Sequence, residues 1–258
     1  LEDARDEAEA AANIISGHTL RMKEREKKAA AAADERVKLT MDTGALDSRI
    51  RLLTEMEKDY EGFNKAVKLV CQAKGELRGI HGPVASLIKT ESRYSLAIEI
   101  ALGAGLQNIV VDREEDAKSA IAFLKRRDGG RATFLPLTAI HGEELRENGV
   151  EREFGFVGVA SRLVCFDPKY TQIFNNLLGR TVIAEDLDCG IAMARKYRNA
   201  FRIVTLDGQV INRGGSMTGG SVSRSAGVLS RTAELERLNS RIGELHQRLE
   251  DAKVAEAA

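Results

Sequence analysis

Ten consecutive residues, Asn212-Arg213-Gly214-Gly215-Ser216-Met217-Thr218-Gly219-Gly220-Ser221, hold two Gly-Gly pairs within seven positions. A segment so sparse in side chains has three physical uses. It could cradle a phosphate, but no Gly-Lys-Ser/Thr follows and no helix start is evident. It could be a plain flexible linker to the C-terminal stretch. Or it could let another backbone pack against it without a Cβ in the way. Placed after a hairpin, the third use describes a strand edge whose unpaired N–H and C=O groups invite a partner strand.

The other reactive residue types do not assemble into a site. His18, His81, His141 and His246 show no metal-ligand spacing, so the metal expectation is none. Gly103-Ala104-Gly105 lacks the third glycine of a dinucleotide fingerprint and reads as a helix cap. Glu114-Glu115-Asp116 suits a helix first turn, where acidic groups meet the positive end of the dipole. Cys71, Cys165 and Cys189 form no CxxC and cannot all pair, and their apolar surroundings suggest small core residues in a reducing compartment. No nucleophile–base pair has a recognisable context, so the catalytic expectation is none. Cations cluster at Lys65, Lys68, Lys74 and Arg78, at Lys125-Arg126-Arg127 with Arg131, and at Arg195-Lys196 with Arg198. Each cluster is either a solvated helix face or a set of phosphate contacts, which need only placed cations and no base readout.

The chain has 258 residues, with 39 Lys+Arg against 39 Asp+Glu, so it is not a globally basic nucleic-acid binder. Aromatics are 5% and Trp is absent, which argues against a base-stacking platform. No window is apolar enough for a membrane span, and the acidic start Leu1-Glu2-Asp3 is no signal peptide.

These residues must be positioned by unlike regions. Leu235, Leu238, Ile242, Leu245 and Leu249 alternate at 3 and 4, one apolar seam along a helix, followed by Ala252. Leu39, Leu46, Ile50, Leu53 and Tyr60 make a looser seam near the start, and Ser16-Gly17-His18 should interrupt or kink that helix. Two such stretches, entering and leaving one globule, should pair antiparallel. The first is ~90 Å long if fully helical. With no initiator Met and both ends inside helical sequence, the chain reads as a piece of a longer coiled-coil protein. Residues 62–229 carry 23 Lys and Arg against 18 Asp and Glu, so a mildly basic middle lies between acidic flanks.

The middle repeats itself. Residues 79–88 match 155–164 at an offset of 76, which also relates Tyr94 to Tyr170, Ile98 to Phe174 and Leu102-Gly103 to Leu178-Gly179. After a short gap, Asn108–Val111 answers Thr181–Ala184. Asp167-Pro168 starts a helix that Gly179 should end as a left-handed cap, with Gly103 doing the same in the first copy. Helices are expected over 112–127 and 187–197, and strands at 109–111, 133–135, 182–183 and 202–206. Asp207-Gly208 then makes a hairpin, through a turn expected to need positive φ at both residues. The expected fold is α+β (mixed α/β): two related lobes of helices on small sheets, flanked by an antiparallel coiled coil. The expected domains are a coiled-coil arm over 1–61, lobes over 62–150 and 151–229, and a second arm over 230–258.

This organisation resembles the hinge of bacterial SMC (structural maintenance of chromosomes) proteins. The residues that carry the resemblance are Phe174–Thr181, Phe201–Gly208, Gly214–Gly220 and the opening Gly75–Gly82. The resemblance covers about 62–229, and the arms match only in kind. It implies a two-fold homodimer joining two long arms in chromosome condensation and segregation. It also implies that Gly214, Gly215, Gly219 and Gly220 line the dimer interface, where a strand of one copy's second lobe pairs with the partner's first lobe. Weak DNA contact is implied near the hinge–arm junction, with Lys65, Lys68 and Lys74 as candidates and Lys125, Arg126 and Arg127 as a second patch. ATP and Mg would belong to the distant heads of the parent protein, so this segment is expected to be no enzyme and to need no cofactor. Accessory subunits would bind through distant parts, no membrane is involved, and the location is cytoplasmic and nucleoid-associated. The alternative is a DNA-binding module or a generic coiled-coil dimerisation domain of another chromosome or repair protein.

Overall fold

The computed structural model describes residues 2–221 and 227–257. In chain order its elements are α1 (Glu2–Lys58), α2 (Lys65–Gln72), β1 (Ile80–Pro83), β2 (Lys89–Thr90), α3 (Ser95–Leu102), β3 (Ile109–Val111), α4 (Glu114–Arg126), β4 (Phe134–Pro136), β5 (Phe156–Val159), β6 (Val164–Cys165), α5 (Thr171–Leu178), β7 (Thr181–Ala184), α6 (Leu187–Lys196), β8 (Arg202–Thr205), β9 (Val210–Ile211), β10 (Met217–Thr218) and α7 (Val228–Ala257). The result is a mixed α+β protein with two compact units. One joins the chain up to Leu53 with the chain from Glu236, and the other spans Thr54–Leu235.

In the first unit two helices pair antiparallel. Leu39, Leu245 and Ala252 are buried together with Leu46 and Leu249 against them. Ion pairs flank the seam at Arg36–Glu256 (2.6 Å) and Glu35–Arg248 (3.0 Å). The second pair is exposed and the first partly so, and surface pairs of this kind contribute ~0–1 kcal/mol each. The apolar seam does the packing. Thr43 fills a core position between Leu39 and Leu46, and its hydroxyl donates to the Leu39 carbonyl at 2.8 Å. The expected break at Ser16-Gly17-His18 is absent, because α1 runs through it. One exposed glycine costs a helix ~1 kcal/mol, too little to stop a long one. Tyr60 lies beyond α1, in a left-handed conformation (φ 51°), and so does not belong to the seam.

The second unit contains the duplication. In one half β1 pairs antiparallel with β3, and β3 runs parallel to β4; in the other, β5 pairs antiparallel with β7, and β7 runs parallel to β8. Even the irregularity repeats: the register shifts between Ile80 and Gly82, and again between Phe156 and Gly158. β2 and β6 pair antiparallel with each other, Lys89 opposite Cys165 and Thr90 opposite Val164, which ties the halves as quasi-symmetric mates. Their shared core includes Ile98, Val110, Phe174, Ile183 and Val204.

Three local expectations need correction. Gly179 has right-handed φ (−64°) and caps nothing left-handed; it is glycine because a Cβ would meet the Glu143 and Asn175 carbonyls. The β8–β9 turn takes positive φ only at Gly208 (90°). Gly208 N–H donates to the Thr205 carbonyl, and Thr205 N–H to the Gln209 carbonyl, as in a three-residue hairpin loop. Cys71 and Cys189 are buried, but Cys165 is exposed, since the alternation of β6 turns Val164 inward and Cys165 outward.

Candidate functional site

Within the glycine-rich segment a tight turn leads into β10 (Met217–Thr218), the last strand of a sheet. The sheet order is β10-β9-β8-β7-β5, with β10 at the free edge. The β9–β10 connection is tight: Gly215 N–H donates to the Asn212 carbonyl, and Asn212 N–H to the Ser216 carbonyl. Gly214 and Gly215 take φ of 91° and 95°, a conformation that L side chains rarely adopt. Ile211 lies opposite Met217, and Val210 opposite Thr218. Because Asn212 and Ser216 are a bonded pair, alternation makes Val210/Thr218 the next bonded pair. The backbone groups of Met217 and Gly219 therefore face away from β9, to the free side. Met217 is 52% exposed, and residues 213–221 are all exposed.

The four interface candidates lie on this one exposed stretch, in unlike surroundings. A Cβ at Gly214 or Gly220 would meet nothing within 4 Å, while one at Gly219 would collide with the side-chain oxygen of Gln209. Gln209 escapes a sequence reading, because nothing about a lone Gln after a turn marks it. Its amide accepts from Gly220 N–H (2.8 Å) and donates to the Gly220 carbonyl (3.2 Å).

The basic candidates come together in part. Asn64 caps α2 by accepting from Val67 N–H at 3.0 Å. The buried face of α2 (Ala66, Val67, Val70, Cys71) packs on Ala117, Ala120, Phe123 and Leu124 of α4. That packing sets Lys65 beside the end of α4, where its ammonium donates to the Asp128 carbonyl at 3.1 Å. Lys65 and the Lys125-Arg126-Arg127 run, separated by some sixty residues, therefore share one surface. Lys65, Lys74, Lys125, Arg126 and Arg127 are exposed, and Lys68 is half-buried. Lys74 is occupied locally, donating to the His81 carbonyl at 2.8 Å, and Arg127 is 3.7 Å from Glu76.

Two half-buried charges outside the candidate set bond across elements of the unit. The Glu99 carboxylate of α3 accepts from Val228 N–H (3.0 Å) at the first turn of α7. Burial pushes its pKa up, although the Val228, Ser230 and Leu229 amides and Arg231 pull the other way. Arg202, at the start of β8, donates to the Ala101 carbonyl at 2.7 Å, capping the C-terminal end of α3.

Among the described residues, no group of His, Cys, Asp or Glu could hold a metal ion, and no helix is long and apolar enough to cross a membrane. Residues 77–194 match the family model described as SMC proteins Flexible Hinge Domain. A crystal structure of an asymmetric dimer of the Geobacillus stearothermophilus SMC hinge domain superposes with a TM-score of 0.83 at 36% identity, covering 92% of this chain and 96% of that one. The Pyrococcus furiosus SMC protein hinge domain superposes at 0.53 and 32% identity, covering 67% of this chain and 88% of that one. The Chromosome partition protein Smc of Bacillus subtilis is 45% identical over 205 residues, 78% of this chain but 17% of that protein. The chain thus spans about a sixth of the length of the curated relatives it matches. With its duplicated sheets, its paired helices and this similarity, the chain belongs to the SMC hinge family.

Proposed function

We propose that this chain is the homodimerising hinge of a chromosome-partition ATPase, and that copies join by strand addition between unlike halves. The observation that carries it is a topological mismatch. In the second half, β8 is followed outward by β9 and β10; in the first half β4, the counterpart of β8, ends its sheet. One half thus has strands to offer and the other has an unfilled edge. On β4, Ile109 N–H donates to the Thr133 carbonyl and Leu137 N–H to the Val111 carbonyl, so 133, 135 and 137 face β3. The backbone of Phe134 and the carbonyl of Pro136 are then left to the free side. On β10, the outward groups are those of Met217 and Gly219.

A second copy, related by a two-fold axis, would lay β10 beside β4 of the first and offer its own β4 in return. Such an isologous arrangement makes two equal contacts and closes. Gly214, Gly215, Gly219 and Gly220 keep Cβ atoms out of the approach. The lobes would divide at 62–150 and 151–229, with arms over 1–61 and 230–258 carried on to heads that bind ATP and Mg. Accessory subunits would act on those distant parts, and the whole would work on the nucleoid in the cytoplasm.

The basic surface at Lys65, Lys68, Lys125, Arg126 and Arg127 supports weak, sequence-independent DNA contact, with Lys74 at its margin. Such contact follows counterion release, and so fades steeply with salt.

The test is mass in solution. Light scattering should give twice the chain mass, and Met217→Pro should give a single one. Proline at 217 removes an outward N–H but no bond to β9. A Met217→Pro chain with unchanged circular dichroism that still measures as a full dimer would defeat the assignment of the edge.

A further inference from the structure

We infer that Gln209 is a positioning residue for the partner-seeking edge: its side-chain amide stands in for a missing strand and holds the glycine segment extended before a second copy arrives. This rests on the edge reading above.

The β9–β10 register places Gln209 opposite Gly219, and Gly208 opposite Gly220. An unbroken ladder would bond the backbones of Gly208 and Gly220. It does not, because Gly208 has turned away at φ 90° and its N–H is already given to the Thr205 carbonyl. Backbone pairing therefore stops at Val210/Thr218, two residues short of the segment's end. The Gln209 side chain takes over. It crosses the face of Gly219, accepts from Gly220 N–H at 2.8 Å and returns a bond to the Gly220 carbonyl at 3.2 Å. A side-chain amide offers an acceptor and a donor on separate atoms at one tip, so it can copy the two-way bonding of a strand residue.

The amide is itself oriented from the core. Thr205 is fully buried; its hydroxyl donates to the Asp207 carboxylate and accepts from Gln209 N–H at 2.9 Å. The other Asp207 oxygen accepts from the Gln209 amide at 3.4 Å. This chain of bonds runs from the sheet interior to Gly220. A Cβ at Gly219 would push the tip of the Gln209 side chain aside and so undo this bonding. Ordering the segment in advance lowers the conformational entropy lost on association, which is how preorganisation raises affinity.

The experiment is a cycle read by sedimentation equilibrium. Gln209→Ala and Gly219→Ala should each weaken the dimer about tenfold. The double variant should lose less than the two single losses combined, because part of the effect of alanine at 219 is displacement of an amide that is then already gone. In the Met217→Pro background, Gln209→Ala should hasten hydrogen exchange at Gly220 N–H while the melting temperature stays put. Gln209→Ala that leaves both dimer affinity and Gly220 exchange unchanged, with Met217→Pro monomeric, overturns the role of Gln209 and spares the edge. Additive losses in the double variant overturn it too. Met217→Pro that remains dimeric removes the edge reading, and this inference with it.

Discussion

The two halves of the larger unit share one plan and do different work. Strand for strand, β1-β3-β4 repeats as β5-β7-β8, with the same antiparallel and parallel neighbours and the same shift of register. Yet matched positions have parted. Glu99 of α3 answers Asn175 of α5, and only the glutamate reaches α7; the asparagine donates instead to Glu144 at 3.2 Å. His81 answers Val157, and only the histidine bonds across the halves, to the Tyr170 hydroxyl at 2.8 Å. Only the second half grows β9 and β10. A duplicated scaffold keeps its core because packing is unforgiving, while its edges and helix ends, where solvent tolerates change, acquire separate tasks.

The most forceful way to challenge that equivalence is to hollow each core at its matched position. Phe174 is fully buried and stacks on Phe166 at 4.4 Å; Ile98 is its fully buried counterpart. Phe174→Ala should cost ~3–5 kcal/mol and Ile98→Ala ~2–5 kcal/mol in denaturant titration. Both should lower one cooperative transition, because both residues belong to the same core. Separate transitions for the halves would mean that they fold apart. Next in size is the edge itself. Met217→Pro should raise the dimer dissociation constant at least a hundredfold, read by light scattering against concentration, while thermal stability at high dilution changes little.

Reversing Lys65, Lys68 and Arg126 to Glu should sharpen the contrast on the first half's surface. DNA affinity in a fluorescence titration should drop about tenfold or more, and the slope of log affinity against log salt should shrink by ~2–3. The same reversal at Arg195, Lys196 and Arg198, on the second half, should change the slope less. The smallest effect separates Glu99 from its counterpart. A carboxyl whose folded pKa is raised binds protons more readily in the folded state, so its stabilising share is present at low pH and is lost as pH climbs through the folded value. Glu99→Gln should therefore flatten the decline of melting temperature on the alkaline side of the usual carboxylate range. Asn175→Asp should differ in kind: it sets a carboxylate against Glu144, and their repulsion costs stability as pH rises, with no helix amides to offset it.

Patterns in the sequence located the two long helices, the duplication, the hairpin and half of the ten described strands, missing β1, β2, β5, β6 and β10. The heptad seam, the offset of 76 and the β-branched runs are local patterns, and local patterns survive in one dimension. The amino-acid order also marked the glycine segment as unusual and allowed three explanations for it. It did not reveal that a Thr would occupy the coiled-coil core, that α1 would pass through Gly17, or that Gly179 would stay right-handed. The first and the last depend on neighbours distant in the chain; the passage through Gly17 depends on a helix cost too small to stop α1.

What only the tertiary structure decided is which backbone groups are left over. That Met217 and Gly219 face outward, that β4 lacks the strand its twin possesses, and that Gln209 spans Gly219 to hold Gly220 all follow from register and from sheet order. Hydrogen-bond valence is consumed pair by pair across the fold, so the unspent remainder, where a partner can attach, exists only once every other pair has formed.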